Sequence, residues 1–491
     1  MSKKLWLPLV LVVVLALLAA CGGAQPTQAP AAAPTTAPAA EPTKAPEPTM
    51  APEPTKAPEP TKAPEATMAP AAAGGIKELK ILWAQWDPAN YLQQLAQQYE
   101  KETGIKVTVV QEPWGTFSTL FSTEMAAQGD TWDMVVGDSQ WLGQGATGGW
   151  YVDMTDFLNS TGLKDSVTPA TMTYYGEYPT GSGKYWGFPT EGDAAGWAYR
   201  KDLFEDPKNM ADFKAKYGYD LAVPTTYKQL MDIAKFFTRP DAGLYGVAIY
   251  TQKDYDAITM GVQNTMFPWG GDWKDANNNV MGVVNSPQNI EAVQAYKDLY
   301  DCCQVPGLSN AFFAETNDAM IGGKAAMIMN YFAFLPALVN SGTNANYYDK
   351  VAFFSNPVGP NGDRGAALGG QGTSIIAYTS PERQQASMDF IEWFGQEKNQ
   401  FEWAKLGGYT CNSNVLKSDA FLKASPYNPA FAETMTFVRD FWNIPIYGQL
   451  LEITQREFSG FVVEGTGTAK DRMDTIATEH EKLLKENGFI K

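Results

Sequence analysis

Hydrophobic positions between residues 76 and 137 follow two alternating periodicities. Runs rich in β-branched and other apolar residues, typical of strands, occupy residues 77–84, 105–111 and 132–137. Between them, residues 89–102 and 117–127 carry apolar side chains at the three- and four-residue spacing of amphipathic helices. Strands that alternate with such helices pair in parallel, so the pattern predicts an α/β fold.

Polar and aromatic residues follow two of these predicted strands. Trp86 and Asp87 come directly after the first strand, and Asp138, Gln140 and Trp141 come after the third. Ligands on parallel sheets bind beyond the carboxyl ends of the strands, so all five are candidate ligand-binding residues. Asp87 has an alternative role, because an Asp followed by a proline is also typical of a helix start.

The stretch 187–204, GFPTEGDAAGWAYRKDLF, is predicted to be an extended crossover between two halves of the fold. Pro189 cannot donate to a sheet ladder, and the glycines allow backbone segments to approach closely. Two carboxylates, Glu191 and Asp193, lie near its centre, and aromatic residues flank them. We expect this segment to form the floor of a cleft between two lobes, with at least one of the two acids binding a ligand.

The first 75 residues differ in composition from the rest of the chain. Residues 1–21 combine a basic start, an apolar run and a small-residue ending, which predicts a secretory signal peptide. The apolar run is short for a membrane-spanning helix. Its Leu-Ala-Ala-Cys ending resembles the bacterial lipobox, which implies lipidation of Cys21 and an extracytoplasmic, membrane-anchored location. Residues 22–75 repeat APEPT units, and proline at this density predicts a disordered, extended tether.

The formal net charge of −17 belongs to the region from about Ile76 onward. Lys3 and Lys4 contribute +2, and the tether, with five Glu and three Lys, contributes −2. So acidic a surface argues against nucleic acid as a partner. The single histidine, His480, is predicted to be solvated, which excludes a His-based zinc site and a Ser-His triad. Residues 275–279 lack the Gly and Glu that a calcium loop requires, so we expect no metal and no cofactor.

Three cysteines remain beyond Cys21, namely Cys302, Cys303 and Cys411. Cysteines of extracytoplasmic proteins usually pair. We therefore expect a disulfide between Cys411 and one of the two neighbours, Cys303 or alternatively Cys302, with the other neighbour left free. Three buried thiols are the alternative.

A series of segments from residue 78 onward carries a family resemblance. They read ELKILWAQWDPANYLQQLAQQYEKETGIKVTVVQ, GDTWDMVVGDSQWLGQ, GGWYVDMTDFL, FPWGGDWKDANNNVMGVVNSPQNIEAVQAYKDLY, GKAAMIMNYFAFLPAL, GGQGTSIIAYTS and IPIYGQLLEITQREF. In this order and spacing they resemble extracellular solute-binding proteins of the maltose-binding type. The resemblance implies a two-lobe α/β fold with a hinge, each lobe a mainly parallel sheet flanked by helices. Lobe 1 would comprise 76–187 and 345–400, and lobe 2 would comprise 188–344 and 401–491.

The resemblance also implies site residues beyond those already named. Trp269, in a Pro-Trp-Gly-Gly turn, would either cap a ligand from lobe 2 or pack within the turn. Tyr331 and Phe332 fall where the family places a stacking aromatic, and Trp442 and Tyr447 lie on the segment that the family folds back over lobe 2. Gly370 and Gln371 would expose backbone amides and one side-chain amide to the cleft. The family's Trp positions hold Phe or Tyr here, which leaves the size of the ligand open.

Aromatic rings stack on the apolar faces of sugars, and carboxylates or amides bind their hydroxyl rims. The resemblance therefore implies a monomeric, lipid-anchored protein that binds a sugar or small oligosaccharide and delivers it to the permease subunits of an ABC transporter. A polyamine or other cationic solute is the alternative, because an aromatic cage with carboxylates also suits a cation. A glycoside-active enzyme is a further alternative, which no fixed pair of acids and no nucleophile motif supports.

Overall fold

The computed structural model of the protein describes residues 75–491. The predicted signal peptide, the tether up to Gly74 and Cys21 lie outside the described residues. Within residues 75–491, no helix is long and apolar enough to cross a membrane.

The strands of this region follow the chain from residue 78 to residue 439. They are β1 (Glu78–Ala84), β2 (Lys106–Glu112), β3 (Met134–Asp138), β4 (Phe188–Arg200), β5 (Tyr245–Ala248), β6 (Ala325–Tyr331), β7 (Val351–Phe354), β8 (Ala366–Ile375) and β9 (Val438–Arg439). The first three lie within two residues of the predicted strands, so that prediction is confirmed.

Helices connect and flank these strands. They are α1 (Asp87–Thr103), α2 (Trp114–Ala126), α3 (Leu142–Thr147), α4 (Thr155–Thr161), α5 (Pro169–Tyr175), α6 (Lys201–Phe204), α7 (Pro207–Tyr217), α8 (Tyr227–Phe237), α9 (Ala257–Met266), α10 (Pro287–Cys303), α11 (Phe313–Ile321), α12 (Pro336–Val339), α13 (Pro381–Gly395), α14 (Glu397–Leu406), α15 (Ser413–Lys417), α16 (Asp419–Ala424), α17 (Asn428–Thr434), α18 (Tyr447–Phe458) and α19 (Ala469–Glu486). The two helices predicted from periodicity, α1 and α2, are confirmed.

Local sequence accounts for the bounds of α1. Pro88 occupies the first turn, where its missing N–H costs no hydrogen bond, and the helix buries the predicted apolar face that includes Leu92 and Leu95. It ends at Gly104, whose left-handed φ of 77° disfavours a residue with a Cβ. These bounds place Trp86 at the carboxyl end of β1, immediately before the helix.

β4 holds the two halves of the sheet together. The sheet order is β2-β1-β3-β8-β4-β6-β5, with β7 also paired to β4 and β9 to β8. Residues 188–194 of β4 pair with β8, and residues 195–200 pair with β6 and β7. The register shifts between Pro189 and Glu191, where the proline cannot donate to the ladder. The prediction of an extended crossover over this stretch is therefore confirmed.

The sheets are mixed, which corrects the expectation of mainly parallel lobes. Parallel pairing joins β1 to β2 and to β3, β5 to β6, and β8 to β9. The pairs that involve β4, and the β3–β8 pair, are antiparallel. Helical segments connect the strands of the parallel pairs, whereas β4 runs against β6, β7 and β8, and β8 runs against β3 and β4.

Two hydrophobic clusters fill the two halves. The first contains Trp83 of β1 and Trp403 of α14, and the second contains Tyr250 and Phe458. β4 contributes Ala194 to the first cluster and Trp197 to the second. Buried side chains between residues 403 and 438 belong to the first cluster, and the lobe boundaries drawn from the sequence stay a prediction.

The predicted Cys303–Cys411 disulfide, and its Cys302 alternative, are wrong in this structure. Cys302 and Cys303 are bonded to each other at the end of α10, and Cys411 is a free, buried thiol. Cys303 lies in the second hydrophobic cluster and Cys411 in the first, so the fold keeps the two apart.

His480 corrects a further expectation, because it is fully buried rather than solvated. Its Nε2 lies 2.9 Å from the carbonyl oxygen of Leu450, and burial lowers its pKa to about 4. The charged residues around His480 predict an exposed position, but its side chain lies on the face of α19 that packs against α18.

Candidate functional site

A cavity of about 420 Å³ opens where β4 and β8 cross the centre of the sheet. This volume lies in the range of small-molecule sites. Its walls come from the ends of β1, β3 and β6, from α2, and from the segments that precede α9 and α11. The carboxyl ends of β1 and β3 therefore open toward one cavity, as the α/β pattern predicts.

The floor of the cavity is formed by paired backbone of β4 and β8. Asp193 lies opposite Gly369, and Gly192 lies opposite Gly370. Gly370 has a φ of +84°, and a Cβ there would lie 2.1 Å from the carbonyl oxygen of Glu191. Only glycine allows the two strands to approach this closely. The close approach leaves room above the floor for a ligand.

Asp193 is the acidic side chain of this floor. Its Oδ1 accepts hydrogen bonds from the backbone N–H groups of Ala194 and Ala333, at 2.8 and 3.1 Å. The side chain is 3% exposed and lines the cavity. Burial raises its pKa to about 8, against the effect of these backbone donors.

Gln371 presents an unused donor to the same space. Its Oε1 accepts a hydrogen bond from the indole N–H of Trp83, which fixes the orientation of the amide. Its Nε2 is buried and has no hydrogen-bond partner within the described residues. A buried donor without an acceptor costs free energy unless a ligand or water satisfies it. Gln371 is therefore oriented to donate to a ligand oxygen.

Three carboxyl groups converge at one end of the cavity, which we call the acidic corner: Asp138, Asp256 and Asp440. Asp138 accepts a hydrogen bond from the Tyr255 hydroxyl at 2.7 Å. Gln140 Nε2 donates to Asp256 Oδ2 at 3.4 Å, and Ser139 Oγ donates to Asp440 Oδ2 at 2.5 Å. Asp138 at the end of β3 thus carries one of the three carboxyl groups, and the next two residues, Ser139 and Gln140, donate to the other two.

Burial favours the neutral, protonated form of the three carboxyl groups in the acidic corner. Burial raises the pKa of Asp138 to about 6 and that of Asp440 to about 7. Burial, followed by the charges of Asp138 and Asp440, raises the pKa of Asp256 well above its usual range. Asp256 is 8% exposed, and its Oδ1 has no hydrogen-bond partner in the described part of the chain.

An arc of aromatic rings forms another part of the cavity wall. Neighbouring ring centroids along it lie 4.1 to 6.2 Å apart, and one pair, Phe313 and Phe334, is stacked. In order, the arc consists of Trp114, Trp86, Phe334, Phe313 and Phe312. Tyr255 extends it at 5.7 Å from Trp114, next to the acidic corner. Aromatic rings thus line the same cavity as carboxyl groups and an amide.

The structure brings half of the predicted site residues to this cavity. Those that line it are Trp86, Asp138, Gln140, Asp193, Tyr331, Gly370 and Gln371. Those that do not line it are Asp87, Trp141, Glu191, Trp269, Phe332, Trp442 and Tyr447.

Three of the seven residues outside the cavity lie in a helix start or pack against other aromatic rings. Asp87 is an exposed residue in the first turn of α1; the N-cap position is held by Trp86 without a side-chain hydrogen bond, so the alternative role of Asp87 as the helix cap is wrong. Trp141 packs on Phe117 and Phe121, and Trp269 packs on Tyr227.

Four further candidates lie behind the cavity wall. Phe332 contacts Phe431, and Trp442 is buried in the second cluster. Tyr447 is half buried near Asp138, whose charge adds to the effect of burial in raising its pKa. Glu191 is fully buried below the floor, where its Oε2 accepts from the Tyr409 N–H at 3.2 Å.

Sequence reasoning missed most of the aromatic arc and two members of the acidic corner. The missed residues that line the cavity include Trp114, Tyr255, Asp256, Phe312, Phe313, Phe334 and Asp440. The Asp254-Tyr255-Asp256 run comes three polar residues after the apolar run that contains β5, and the strand-end argument used for β1 and β3 points to this segment.

No lysine, arginine or histidine lines the cavity within residues 75–491. The same part of the chain holds no group of three side chains arranged to bind a metal ion. What the site offers chemically is hydrogen-bond acceptors, a few donors and aromatic surface.

A two-lobe α/β fold with a solute-sized cavity at its crossover strands is the architecture of a solute-binding protein. The family described as bacterial extracellular solute-binding protein matches residues 94–430. This chain therefore belongs to that family, and the resemblance inferred from the sequence is confirmed. No curated protein sequence matches this chain significantly.

Solved structures of the same fold support this placement. A solute-binding protein from Agrobacterium radiobacter K84 in complex with ribitol is 24% identical, with a TM-score of 0.69 over 83% of this chain and 99% of that one. The maltose-bound MalE3 of T. maritima is 22% identical, with a TM-score of 0.70 over 83% and 100%. Lmo0181 from Listeria monocytogenes, in complex with cycloalternan, is 17% identical, with a TM-score of 0.63 over 84% and 99%. The family and these neighbours are solute-binding proteins.

Proposed function

We propose that this protein binds a carbohydrate in the cavity between the aromatic arc and the acidic floor. The observation that carries the proposal is that aromatic rings and carboxyl groups line one cavity of about 420 Å³. The apolar face of a pyranose would stack on Trp86 or its neighbours, and its hydroxyl groups would donate to Asp193 and the acidic corner. The solutes named for the structural neighbours, ribitol, maltose and cycloalternan, agree with this ligand class.

The expected affinity follows from these contacts. Micromolar binding corresponds to about −8 kcal/mol. Charge-assisted hydrogen bonds contribute about 1.5–3 kcal/mol each. Two or three of them, together with stacked rings, reach this range after the cost of ordering the ligand and the side chains. The protein would hold the sugar without converting it.

Hydrogen bonds across the cavity support capture by closure. Tyr255 and Asp138 come from segments that follow β5 and β3, on opposite sides of the crossover strands, and they are bonded at 2.7 Å. The Gln140–Asp256 and Ser139–Asp440 bonds make the same connection. Such contacts form only when the two sides are close, so a solute that bridges them would shift an open–closed equilibrium toward the closed state.

A ligand screen tests the proposal. We expect at least one neutral sugar, sugar alcohol or small oligosaccharide to raise the melting temperature and to bind in calorimetric titration. Trp86→Ala should weaken that binding, whereas Asp318→Asn, on the exposed face of α11, should leave it unchanged. If no carbohydrate in a broad panel binds and a polyamine such as spermidine does, the carbohydrate proposal is wrong.

We also propose that the protein is a monomer anchored outside the cell membrane by a lipid on Cys21, and that it passes its sugar to an ABC permease. The lipobox-like ending and the proline-rich tether support the anchor. Cys21→Ser should release the protein from the membrane fraction or leave it unprocessed. Wild-type protein found only in the medium, with no lipid on Cys21, would contradict the anchor.

A further inference from the structure

The acidic corner holds more acceptors than a neutral sugar needs. Asp138, Asp256 and Asp440 lie together at one end of the cavity, and Asp193 and Asp254 also line it. No basic side chain of the described residues lines the cavity to balance them. A buried carboxylate without a cationic partner is costly, because the interior solvates charge poorly. In the empty protein, burial raises the pKa of Asp138 to about 6 and that of Asp440 to about 7, and a bound cation would favour the charged form of these carboxyl groups.

One acceptor of this corner is already oriented but unused. Asp256 is 8% exposed and lines the cavity, and its Oδ2 accepts from Gln140. Its Oδ1 is buried and has no partner within residues 75–491. A hydroxyl group would satisfy this oxygen with one proton, but it would leave the three carboxyl groups uncompensated.

The aromatic residue beside the corner suits a cation as well. The ring of Tyr255 extends the aromatic arc and its hydroxyl donates to Asp138. An ammonium group between ring faces and carboxylates gains both cation–π and charge-assisted hydrogen-bond energy. An ammonium has three donors, which matches three carboxyl groups in one corner.

We propose that the carbohydrate carries a protonated amine, and that its ammonium group binds in the acidic corner while the sugar ring lies against the aromatic arc. This inference rests on the proposed carbohydrate function and names the class of sugar. Amino sugars and amine-bearing oligosaccharides belong to this class. Polyamines lack the ring faces that the arc would stack, and N-acetylated sugars lack the charge.

Matched ligand sets test the charge and the ring separately. Each set holds the sugar skeleton constant and changes one substituent: glucosamine, N-acetylglucosamine and glucose form one set, and the β-1,4 disaccharides of the same three sugars form another. Each sugar is titrated calorimetrically at neutral pH, and spermidine is titrated under the same conditions for comparison. We expect the amine to bind at least tenfold more tightly than both neutral counterparts of its set. The difference should shrink as salt is added, because screening weakens charge pairs.

Variants assign the effect to the acidic corner. Asp256→Asn should reduce the preference for the amine toward equal binding, and Asp440→Asn serves as a second variant if the first is poorly folded. Asp318→Asn, which removes an equal charge from an exposed helix face, should leave the preference intact.

Each outcome decides between the two proposals. Neutral sugars that bind as tightly as their amines, or more tightly, overturn this inference and leave the carbohydrate function standing. An amine preference that survives both corner variants also overturns the assignment. Binding of spermidine without binding of any sugar contradicts the carbohydrate function, and this inference with it.

Discussion

Asp193 and Glu191 lie two residues apart on β4, and the structure gives them different roles. Asp193 lines the cavity, whereas Glu191 is fully buried beneath it. At pH 9, above the raised pKa of about 8 of this carboxyl group, we expect Asp193→Asn to weaken sugar binding about ten- to a hundredfold, the effect of losing a charge-assisted hydrogen bond worth about 1.5–3 kcal/mol. Glu191→Gln should leave affinity nearly unchanged, because its side chain does not reach the ligand space.

The choice of asparagine follows from the contacts of Asp193. Its Oδ1 holds the N–H groups of Ala194 and Ala333, and the amide oxygen of asparagine can accept both bonds. Alanine would leave both donors without an acceptor, at about 1–3 kcal/mol for each buried group. Asp193→Ala should therefore lower the melting temperature of the empty protein as well as the affinity. The structure thus argues against a purely ligand-binding role for this carboxylate.

Two measurements separate these effects. Calorimetric titration with the tightest sugar from the screen gives the affinity, and thermal melting of the empty protein gives the stability. Asp318→Asn is the control for loss of a negative charge. Wild-type affinity in Asp193→Asn, in a protein that melts normally, would refute the placement of the ligand above β4. A large loss of affinity in a stable Glu191→Gln protein would refute it equally.

Three further outcomes are expected. Trp86→Ala should weaken binding about tenfold, and Trp86→Phe by less because it keeps a ring in the arc; equal titrations of both variants and wild type would contradict this. The melting temperature of the empty protein should fall from about pH 5 to about pH 8. Burial raises the pKa of Asp193 to about 8, above its usual value near 4, so the folded state retains a proton that the unfolded chain has released; Asp193→Asn should flatten this slope, and a melting temperature that rises with pH would contradict it. Peptide mapping without reduction should find the Cys302–Cys303 bond within the tryptic peptide 298–324, and a link from that peptide to Cys411 would contradict it.

The periodicity of apolar residues and the positions of proline and glycine predicted the elements whose conformation depends on nearby residues. The alternation of strand and helix runs from β1 to β3 rests on side-chain periodicity, which survives in the tertiary structure. The crossover β4 was predicted because Pro189 and its glycines restrict what the backbone can do. The antiparallel direction of β8 was not predicted, since it depends on pairing with β3, more than 200 residues away in the chain.

The candidate site shows the same division. Trp86 and Asp138 were predicted because strand ends in α/β sheets point to one edge. Asp440 and Phe334 reach the cavity only through the packing of distant segments, for which the sequence holds no periodic signal. Aromatic type alone was misleading, because Trp141 and Trp269 are as aromatic as Trp86 but fill the hydrophobic clusters. Burial, which sequence does not report, separates the two groups.

The shared strand β4 also sets an order for folding. Its partners β6, β7 and β8 begin between 125 and 166 residues after β4 ends at Arg200. None of its ladders can therefore form until that later part of the chain is present. A chain that has been synthesised only to residue 320 would expose β4 and the edge of β3 without partners. Contacts at this sequence separation slow folding, and unpaired edges invite aggregation. Both halves must therefore wait for the same late segments, and they complete their sheets as one event rather than in turn.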